Sequence, residues 1–274
     1  MTSPGRSGDS AGRPAPRPAS ALVSVRLEPS RDGARADLSI ELPPVNVLGV
    51  AALAELERAI RAASPPARLI VLRGLPRAFS AGVSVAEHVP ETAAIESMLA
   101  AMRGVLSALV EAPAVTLASV SGACLGGAAE ILCACDLALV ADDARVGFPE
   151  IRLACFPPGA AALLPAKIGE ARAAEWILAG ETRSGREAAA AGLASRAVPP
   201  SRLAEQTERL AERILSASPE ALSLARELLR RGRREAMRDR LPEAEDAYRK
   251  LAGSEDLARA VEAFGKPRGS PTNG

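Results

Sequence analysis

The sequence predicts an α/β fold in which a core of alternating strands and helices is followed by a helical region. Between residues 21 and 200, short apolar runs typical of strands alternate with stretches of helical spacing. From 201 to 266 only helical spacing continues. With 274 residues the chain is long enough for one large hydrophobic core or two small ones. No linker-like composition separates the two parts, so we expect them to form one functional unit.

The first elements follow from alternation and turn chemistry. Residues 1–20 are rich in Pro, Ser, Gly and Arg and have no apolar centre, which predicts a disordered tail and not a secretory signal. Ala21–Leu27 and Ala36–Leu42 alternate between apolar and polar residues, and the Arg-Asp-Gly sequence at 31–33 is typical of a turn. We therefore expect a β-hairpin at the start of the core.

The remaining elements are longer or more apolar. Four apolar runs predict strands, most of them buried as in a covered parallel sheet: Ala67–Arg73, Val115–Val120, Asp136–Ala141 and the short Ala144–Phe148. Apolar residues at helical spacing predict helices over Val50–Ala63, Thr92–Glu111, Gly127–Cys133, Ala161–Ile168, Glu170–Ala179, Gly185–Ala191, Ser201–Ser216, Pro219–Arg233 and Leu241–Phe264. We expect none of these stretches to be long and apolar enough to span a bilayer.

Composition excludes several functional classes. The formal net charge is +1, which gives no global bias toward nucleic acid or a membrane. Aromatic residues make up only 2% of the chain, so base-stacking platforms are not expected and a ligand pocket should be lined mainly by Ala, Leu, Val and Ile. The four cysteines lie in apolar runs, which indicates buried, reduced thiols in a cytoplasmic protein. With a single histidine, no Cys/His metal site is expected.

Two glycine-containing segments are candidate anion sites. Gly126-Gly127 follows a predicted strand and opens a helix, where backbone amides are unpaired and lie at the positive end of the helix dipole. The pair can also be a tight strand-to-helix crossing, because glycine permits close backbone approach. The loop Ala78–Ala86 also has two interpretations. Gly82 can allow the amide of Val83 to face an anion, or the segment can be an ordinary loop.

Two glutamates lie among apolar neighbours, where an unpaired charge is costly. Glu130 is one helical turn after Gly127, and Glu150 follows a Phe-Pro pair at a predicted turn. Carboxylates beside an anion site can move protons during a reaction. Either glutamate can instead cap a backbone group or pair with an arginine, and Arg152 is a candidate partner.

Taken together and in order, these motifs resemble the crotonase superfamily of enoyl-CoA hydratases and isomerases. The resemblance runs from about residue 22 to 264. The quoted segments are similar to an early Pro/Asn element, two oxyanion elements and two glutamate motifs of that family: Leu42–Leu48, Ala78–Ser84, Val120–Glu130 and Phe148-Pro149-Glu150. The resemblance implies a crotonase-like spiral of ββα units with a helical C-terminal region, and a homotrimer or hexamer built partly through the C-terminal helices.

The resemblance also implies a role for each site residue. The amides of Val83 and Gly127 would hold a thioester oxygen, while Glu130 and Glu150 would activate water and exchange a proton with the α-carbon. The substrate-binding positions would be Ala81, Val83, Ser84, Val85, Ala86 and Gly127. Adding water to a double bond conjugated to a thioester builds enolate charge, which two N–H donors stabilise. No metal or redox cofactor would be needed, and coenzyme A would enter as part of the substrate.

Several residues depart from the family pattern and indicate a particular subgroup of the family. Ser84 stands where the family often has Asp, and Ala128-Ala129 replace glycines. Pro158 lacks a backbone N–H and stiffens the turn at 156–161, so the floor of the pocket should differ from that of simple hydratases. Residues 81–91 together with 155–158 are most similar to the cyclohexa-1,5-diene-1-carbonyl-CoA hydratase subgroup.

Several alternatives stay open at the level of sequence. His88 can face the acyl pocket or be a packed or exposed loop residue. The same oxyanion site would also serve double-bond isomerisation or thioester hydrolysis. A non-catalytic acyl-CoA-binding member of the family is a third alternative, although the two glutamates favour an enzyme.

Overall fold

The computed structural model describes residues 25–30, 32–87 and 91–265, and it has the predicted α/β core followed by helices. The predicted tail at 1–20 and His88 lie outside the described residues. Twelve strands are described: β1 Val25–Pro29, β2 Arg35–Ile40, β3 Val47–Leu48, β4 Leu69–Arg73, β5 Ala78–Ser80, β6 Gly82–Val83, β7 Val115–Val120, β8 Ala123–Leu125, β9 Leu137–Ala141, β10 Arg145–Gly147, β11 Thr182–Ser184 and β12 Arg196–Val198.

Helices cover both the core and the C-terminal region. Eleven α-helices are described: α1 Val50–Ala63, α2 Thr92–Glu111, α3 Gly127–Ala134, α4 Pro158–Ile168, α5 Glu170–Leu178, α6 Gly185–Ala191, α7 Leu203–Leu215, α8 Pro219–Leu229, α9 Arg231–Glu235, α10 Leu241–Arg249 and α11 Glu255–Gly265. Short 3₁₀ segments precede α2, α4 and α7, at Val85–Glu87, Pro149–Leu153 and Pro200–Arg202.

The main sheet has six strands in the order β1-β2-β4-β7-β9-β12. The predicted hairpin is confirmed, because β1 pairs antiparallel with β2, while the other neighbours in this sheet are parallel. The central strands are buried along nearly their whole length, as expected of a parallel sheet covered on both faces. Helices α1 and α2 pack against each other beside it and supply much of the core.

A second sheet has the order β11-β10-β8-β5, and β3 pairs with β6 in a separate two-stranded sheet. The chain repeatedly places one strand in the main sheet, the next in the second sheet, and then a helix: β4-β5-α2, β7-β8-α3 and β9-β10-α4. The predicted ββα units are therefore present. Of the strands of two or three residues only β10 was predicted, as Ala144–Phe148; the others were missed because they are too short to show alternation.

The C-terminal helices differ from the prediction at their ends. The predicted helix Leu241–Phe264 is two helices, because Gly253 between α10 and α11 adopts a left-handed φ of +76°. The predicted helix Pro219–Arg233 ends at Leu229, and α9 then continues through a π-helical turn at Ala236–Arg240. The break before α11 lets that helix fold back onto the 3₁₀ segments Val85–Glu87 and Pro149–Leu153.

The expectation that no stretch could span a bilayer was wrong on length and composition. Helix α2, with 20 residues, is long and apolar enough to cross a membrane. About half of this apolar stretch is buried inside the protein, and core helices of soluble proteins have the same length and composition. In this fold α2 packs against α1 and α3, and nine of its side chains are buried, including Met98 and Met102.

Candidate active site

The loop before Val83 is held by a buried asparagine. Asn46 is fully buried with a left-handed φ of +54°, and its Nδ2 donates to the carbonyl oxygens of Ile40, Ala78 and Phe79 at 2.9–3.1 Å. The Ser80 hydroxyl donates to the Asn46 carbonyl at 2.6 Å and accepts the Gly82 N–H at 3.0 Å. The path of the chain into β6 is therefore fixed by side-chain hydrogen bonds of two fully buried residues.

Strand pairing decides where the Val83 amide points. β6 runs parallel to β3, and the Ser84 N–H donates to the Leu48 carbonyl at 3.0 Å. Successive residues of a strand direct their N–H groups to opposite sides, so the Val83 N–H is turned away from β3. On that other side β6 faces the start of α3.

The start of α3 brings a second amide close to Val83. Gly126 precedes the helix with φ +55°, and its N–H donates to the Gly147 carbonyl at 2.9 Å. Gly127 is the first residue of α3, so its N–H has no acceptor within the helix. A Cβ on Gly127 would lie 2.7 Å from Cγ1 of Val83. The glycine pair is therefore a tight crossing, at which Gly127 and its unpaired N–H lie beside Val83.

Glu130 is buried on α3, with only 4% of its surface exposed. Its Oε1 accepts the Ala160 N–H at 2.9 Å, at the N-terminus of α4. Pro158 is the first residue of that helix, where its missing N–H costs nothing, and the amides that follow it remain available to Glu130. The capping alternative for Glu130 is thus correct, but one carboxylate edge bound to backbone leaves the other oxygen for a ligand.

Glu150 is the second residue of the 3₁₀ segment Pro149–Leu153, and its carboxylate has fewer hydrogen-bond donors than that of Glu130. Its Oε2 is buried without a hydrogen-bond partner, and its Oε1 lies 2.7 Å from where a Cβ of Gly126 would stand. No ion pair joins it to Arg152 among the described residues, so the structure does not support that alternative. The Cys155 N–H and Sγ both donate to the Glu150 carbonyl, at 3.2 and 3.4 Å, and hold the turn in place.

Both carboxyl groups have unusual acidity. Burial raises the pKa of Glu130 to about 7, although the N–H groups of Ala160 and Gly159 oppose the shift. Burial, and then the neighbouring charge of Glu130, raise the pKa of Glu150 to about 8. Both carboxyl groups therefore hold a proton at higher pH than an exposed glutamate does, which suits groups that take up one proton and deliver another near neutral pH.

The two glutamates face one mostly apolar cavity of about 100 Å³. Of the predicted substrate-binding residues, Ala81, Val83, Val85 and Gly127 line it, whereas Ser84 and Ala86 do not. Instead, the Ser84 N–H and hydroxyl bond to the backbone of neighbouring residues, and Ala86 is exposed.

The prediction of an Ala, Leu, Val and Ile lining was incomplete. The cavity wall also contains two methionines, Met98 and Met102, and two aromatic residues, Phe156 and Tyr248. Tyr248 is the one tyrosine of the chain, and it comes from α10, far along the sequence from the glutamates. No sequence pattern connects it with the site, because only the packing of the C-terminal helices brings it there.

All four cysteines are free and buried, as predicted. Burial raises the pKa of Cys155, the cysteine in the cavity wall, to about 11, so it is a neutral thiol near pH 7. Within the part of the chain that the structure describes, no group of three His, Cys, Asp or Glu side chains is placed to hold a metal ion.

Comparison with known proteins identifies the family. The model of the enoyl-CoA hydratase/isomerase family matches residues 34–269. Cyclohexa-1,5-dienecarbonyl-CoA hydratase of Thauera aromatica is 32% identical over 254 residues, covering 90% of this chain and 95% of that protein. 2,3-Dehydroadipyl-CoA hydratase of Escherichia coli K12 is 30% identical over 223 residues, covering 80% and 87%.

Solved structures with a similar fold include proteins described as enoyl-CoA hydratases. The crystal structure of an enoyl-CoA hydratase from Mycobacterium avium subsp. paratuberculosis K-10 superposes with a TM-score of 0.80, covering 89% of this chain and 96% of that one at 22% identity. Pseudomonas aeruginosa OdaA superposes with a TM-score of 0.76 at 26% identity, covering 90% and 100%. The chain belongs to the enoyl-CoA hydratase/isomerase family of the crotonase superfamily, and it is an enzyme of the enoyl-CoA hydratase type.

Proposed function

We propose that this enzyme adds water to, or removes it from, an α,β-unsaturated acyl-CoA thioester by means of Glu130 and Glu150. The observation that carries the proposal is the pairing of two carboxyl groups with raised pKa values on one apolar cavity, beside the start of α3: Glu130 is buried, and Glu150 is half-buried with a buried Oε2. A metal or redox cofactor has no part in the proposed reaction. Coenzyme A takes part only as the thioester of the substrate.

The amides of Val83 and Gly127 are the proposed oxyanion donors. The Val83 N–H is turned away from β3, and the Gly127 N–H has no acceptor in α3. Charge moves onto the thioester oxygen as water attacks the β-carbon, and two fixed donors stabilise it without reorganisation. Gly127 lies at the positive end of the α3 dipole, which adds to the same effect.

The two glutamates take different roles in the proposed mechanism. Glu130 accepts the Ala160 N–H, which favours its ionised form, so it is the carboxylate that removes a proton from water as the oxygen attacks the β-carbon. Glu150 has a raised pKa and an Oε2 without a hydrogen-bond donor, so it holds the proton that is delivered to the α-carbon of the enolate. One proton enters the pair and one leaves it, which balances the addition of water.

The acyl group that we favour is the cyclic cyclohexa-1,5-diene-1-carbonyl group. Two observations support it: the relative from Thauera aromatica carries that activity in its name, and Pro157 and Pro158 form part of the cavity wall. The proline pair stiffens the floor of the cavity, which suits a rigid ring better than a flexible chain.

The proposed enzyme is a cytoplasmic homotrimer or hexamer. Helix α8 supports an assembly, because three of its leucines are exposed by 62–81%: Leu224, Leu228 and Leu229. A cluster of exposed apolar side chains on one helix is typical of a surface that another subunit covers. The net charge of +1 gives no reason to expect nucleic acid or a membrane as a partner.

A paired assay tests the proposal. The purified protein is incubated separately with crotonyl-CoA and with cyclohexa-1,5-diene-1-carbonyl-CoA, and the products are followed by mass. The expected result is a product heavier by one water, with CoA retained, on the cyclic thioester. A water adduct on crotonyl-CoA alone would keep the reaction but reject the cyclic substrate. Isomerisation without a change of mass, hydrolysis to free CoA, or binding without turnover would each contradict a hydratase.

A further inference from the structure

One side of the cavity is lined by the protein's own C-terminal helices. We call this side the distal wall and define it as Phe156, Tyr248, Leu257 and Val261. Tyr248 belongs to α10, and Leu257 and Val261 belong to α11. The distal wall lies in a cluster of apolar side chains that is separate from the main core. It is therefore a structure built around the cavity and not an extension of the central sheet.

The distal wall is well packed. Tyr248 and Leu257 are 2% and 0% exposed. The ring of Phe156 meets that of Tyr248 edge to face, with centroids 5.4 Å apart and an angle of 62° between the planes. Helix α11 also packs against Val85–Glu87 and Pro149–Leu153, the segments that follow Val83 and carry Glu150. The wall is thus supported by the same segments that form the site.

We propose that the distal wall sets an upper limit on the acyl group, so that the enzyme accepts a compact group of about the size of a six-membered ring and excludes long linear chains. This inference rests on the proposed function, which places the thioester between Val83 and Gly127 and directs the acyl group toward the wall. It identifies Val261 and Leu257 as specificity-determining residues, which nothing in the sequence marks as such.

The volume of the cavity supports this limit. At about 100 Å³ it is smaller than the apolar cavity of about 150 Å³ that accommodates benzene in another protein. A six-membered ring requires a small adjustment, which the flexible side chains of Met98 and Met102 in the cavity wall can supply. A linear chain of eight or more carbons needs more space than a ring, and the packing of α11 on two segments limits how far this side can widen.

Binding of unreactive analogues tests the limit without turnover. Butyryl-CoA, cyclohexanecarbonyl-CoA and decanoyl-CoA are titrated into the protein by calorimetry. We expect cyclohexanecarbonyl-CoA to bind at least roughly tenfold more tightly than decanoyl-CoA, since misfit of a few methylenes in an apolar pocket is worth that much. Equal or tighter binding of decanoyl-CoA would overturn the proposal. Because no reaction is involved, this result is independent of whether the protein is a hydratase.

Two substitutions at one position test the wall in opposite directions. Val261 is only half-buried, so changing it should disturb folding less than truncating the fully buried Leu257. Val261→Ala should shift the affinity ratio toward decanoyl-CoA by roughly tenfold, and Val261→Phe should weaken cyclohexanecarbonyl-CoA more than butyryl-CoA. The matched control is Leu178→Ala, a truncation of an exposed side chain on α5 that does not line the cavity and should leave the ratios unchanged.

The outcomes separate the two proposals. If the binding ratios follow the wall but no enoyl-CoA gains water, the distal wall stands and the hydratase function fails. If water is added equally well to crotonyl-CoA and to a decenoyl-CoA, the function stands and the distal wall fails. Unchanged ratios in both Val261 variants, with circular dichroism spectra like that of the wild type, would also overturn the assignment of Val261.

Discussion

Two carboxylate sites in the interior of this protein have opposite electrostatic properties. Asp136, in the turn between α3 and β9, has a largely buried side chain that is bound by Arg226 through Oδ2 at 2.6 Å and by Arg233 through Oδ1. Oδ2 also accepts the Thr116 N–H at 2.9 Å. Burial alone would raise its pKa, but the two guanidinium groups outweigh that effect and the pKa is lowered.

The glutamates at the cavity have no such partners. No ion pair to Glu130 or Glu150 is found among the described residues, and burial raises the pKa of both. The comparison separates a structural from a functional buried charge. Where arginines from α8 and α9 satisfy a carboxylate, it fastens the helical region to the core. Where no positively charged side chain pairs with it, a buried carboxyl group keeps a proton at higher pH and can exchange it near neutrality.

The largest expected effect comes from removing proton exchange at the cavity. Glu130→Gln and Glu150→Gln should each lower kcat for hydration by roughly 10²–10⁴, because a positioned general acid or base contributes about that factor. The fold should survive, since glutamine keeps the shape without the costly buried charge. Steady-state kinetics and circular dichroism check both parts.

The matched control for this pair is Glu243→Gln, because Glu243 is exposed on α10. It should leave kcat within about twofold of wild type, as exposed substitutions are usually close to neutral. Near-wild-type activity in both Glu130→Gln and Glu150→Gln would remove the distinction between the two sites.

The next effect is on stability and not on chemistry. Asp136→Ala should lower the free energy of unfolding by roughly 3–5 kcal/mol, because it leaves Arg226 and Arg233 buried without their counter-charge. Denaturant titration measures the change. Asp256→Ala breaks an ion pair in which both side chains are at least 67% exposed, so it should change stability little. If the two alanine variants lowered the free energy of unfolding equally, the Asp136 ion pairs would not stabilise the packing of the helical region on the core.

The smallest expected effect is a dependence of the free energy of unfolding on pH. Because the folded-state pKa values of Glu130 and Glu150 lie above the ordinary value of 4.5, the folded protein keeps protons that the unfolded chain loses. Stability should therefore fall as pH rises from about 4.5 to about 8, by at most about 1.4 kcal/mol per pH unit for each carboxyl group. For Asp136 the sign is reversed: its contribution is present above its unfolded pKa and is lost in acid.

Urea titrations of the wild type and of Glu130→Gln/Glu150→Gln across this range measure the slope. The double variant should lose most of this pH dependence. Its free energy of unfolding should therefore exceed that of the wild type by an amount that grows as the pH rises. A variant that parallels the wild type at every pH would show that the two carboxyl groups do not titrate as described.

Local patterns were good predictors wherever an element is long. Helix α2 was predicted with its observed ends, Thr92 and Glu111, and the buried strand β7 likewise at Val115 and Val120. Short strands such as β3 and β6 were missed because two residues carry no periodicity. The break at Gly253 was missed as well, since a glycine is tolerated in many helices and only the packing of α11 requires a turn there.

The sequence alone determined the kinds of groups in the site and their order: a glycine before Val83, a glycine pair at the start of α3, a glutamate within α3 and a second glutamate after Pro149. These are local features, because they depend on backbone freedom and on residue type. The tertiary structure decided which of those groups face one cavity, that Oε2 of Glu150 lacks a partner while Asp136 has two arginines, and that Tyr248 forms part of the cavity wall. Burial and partnership arise from contacts between segments distant in the chain, and they set the pKa of each carboxyl group and the space left for a substrate.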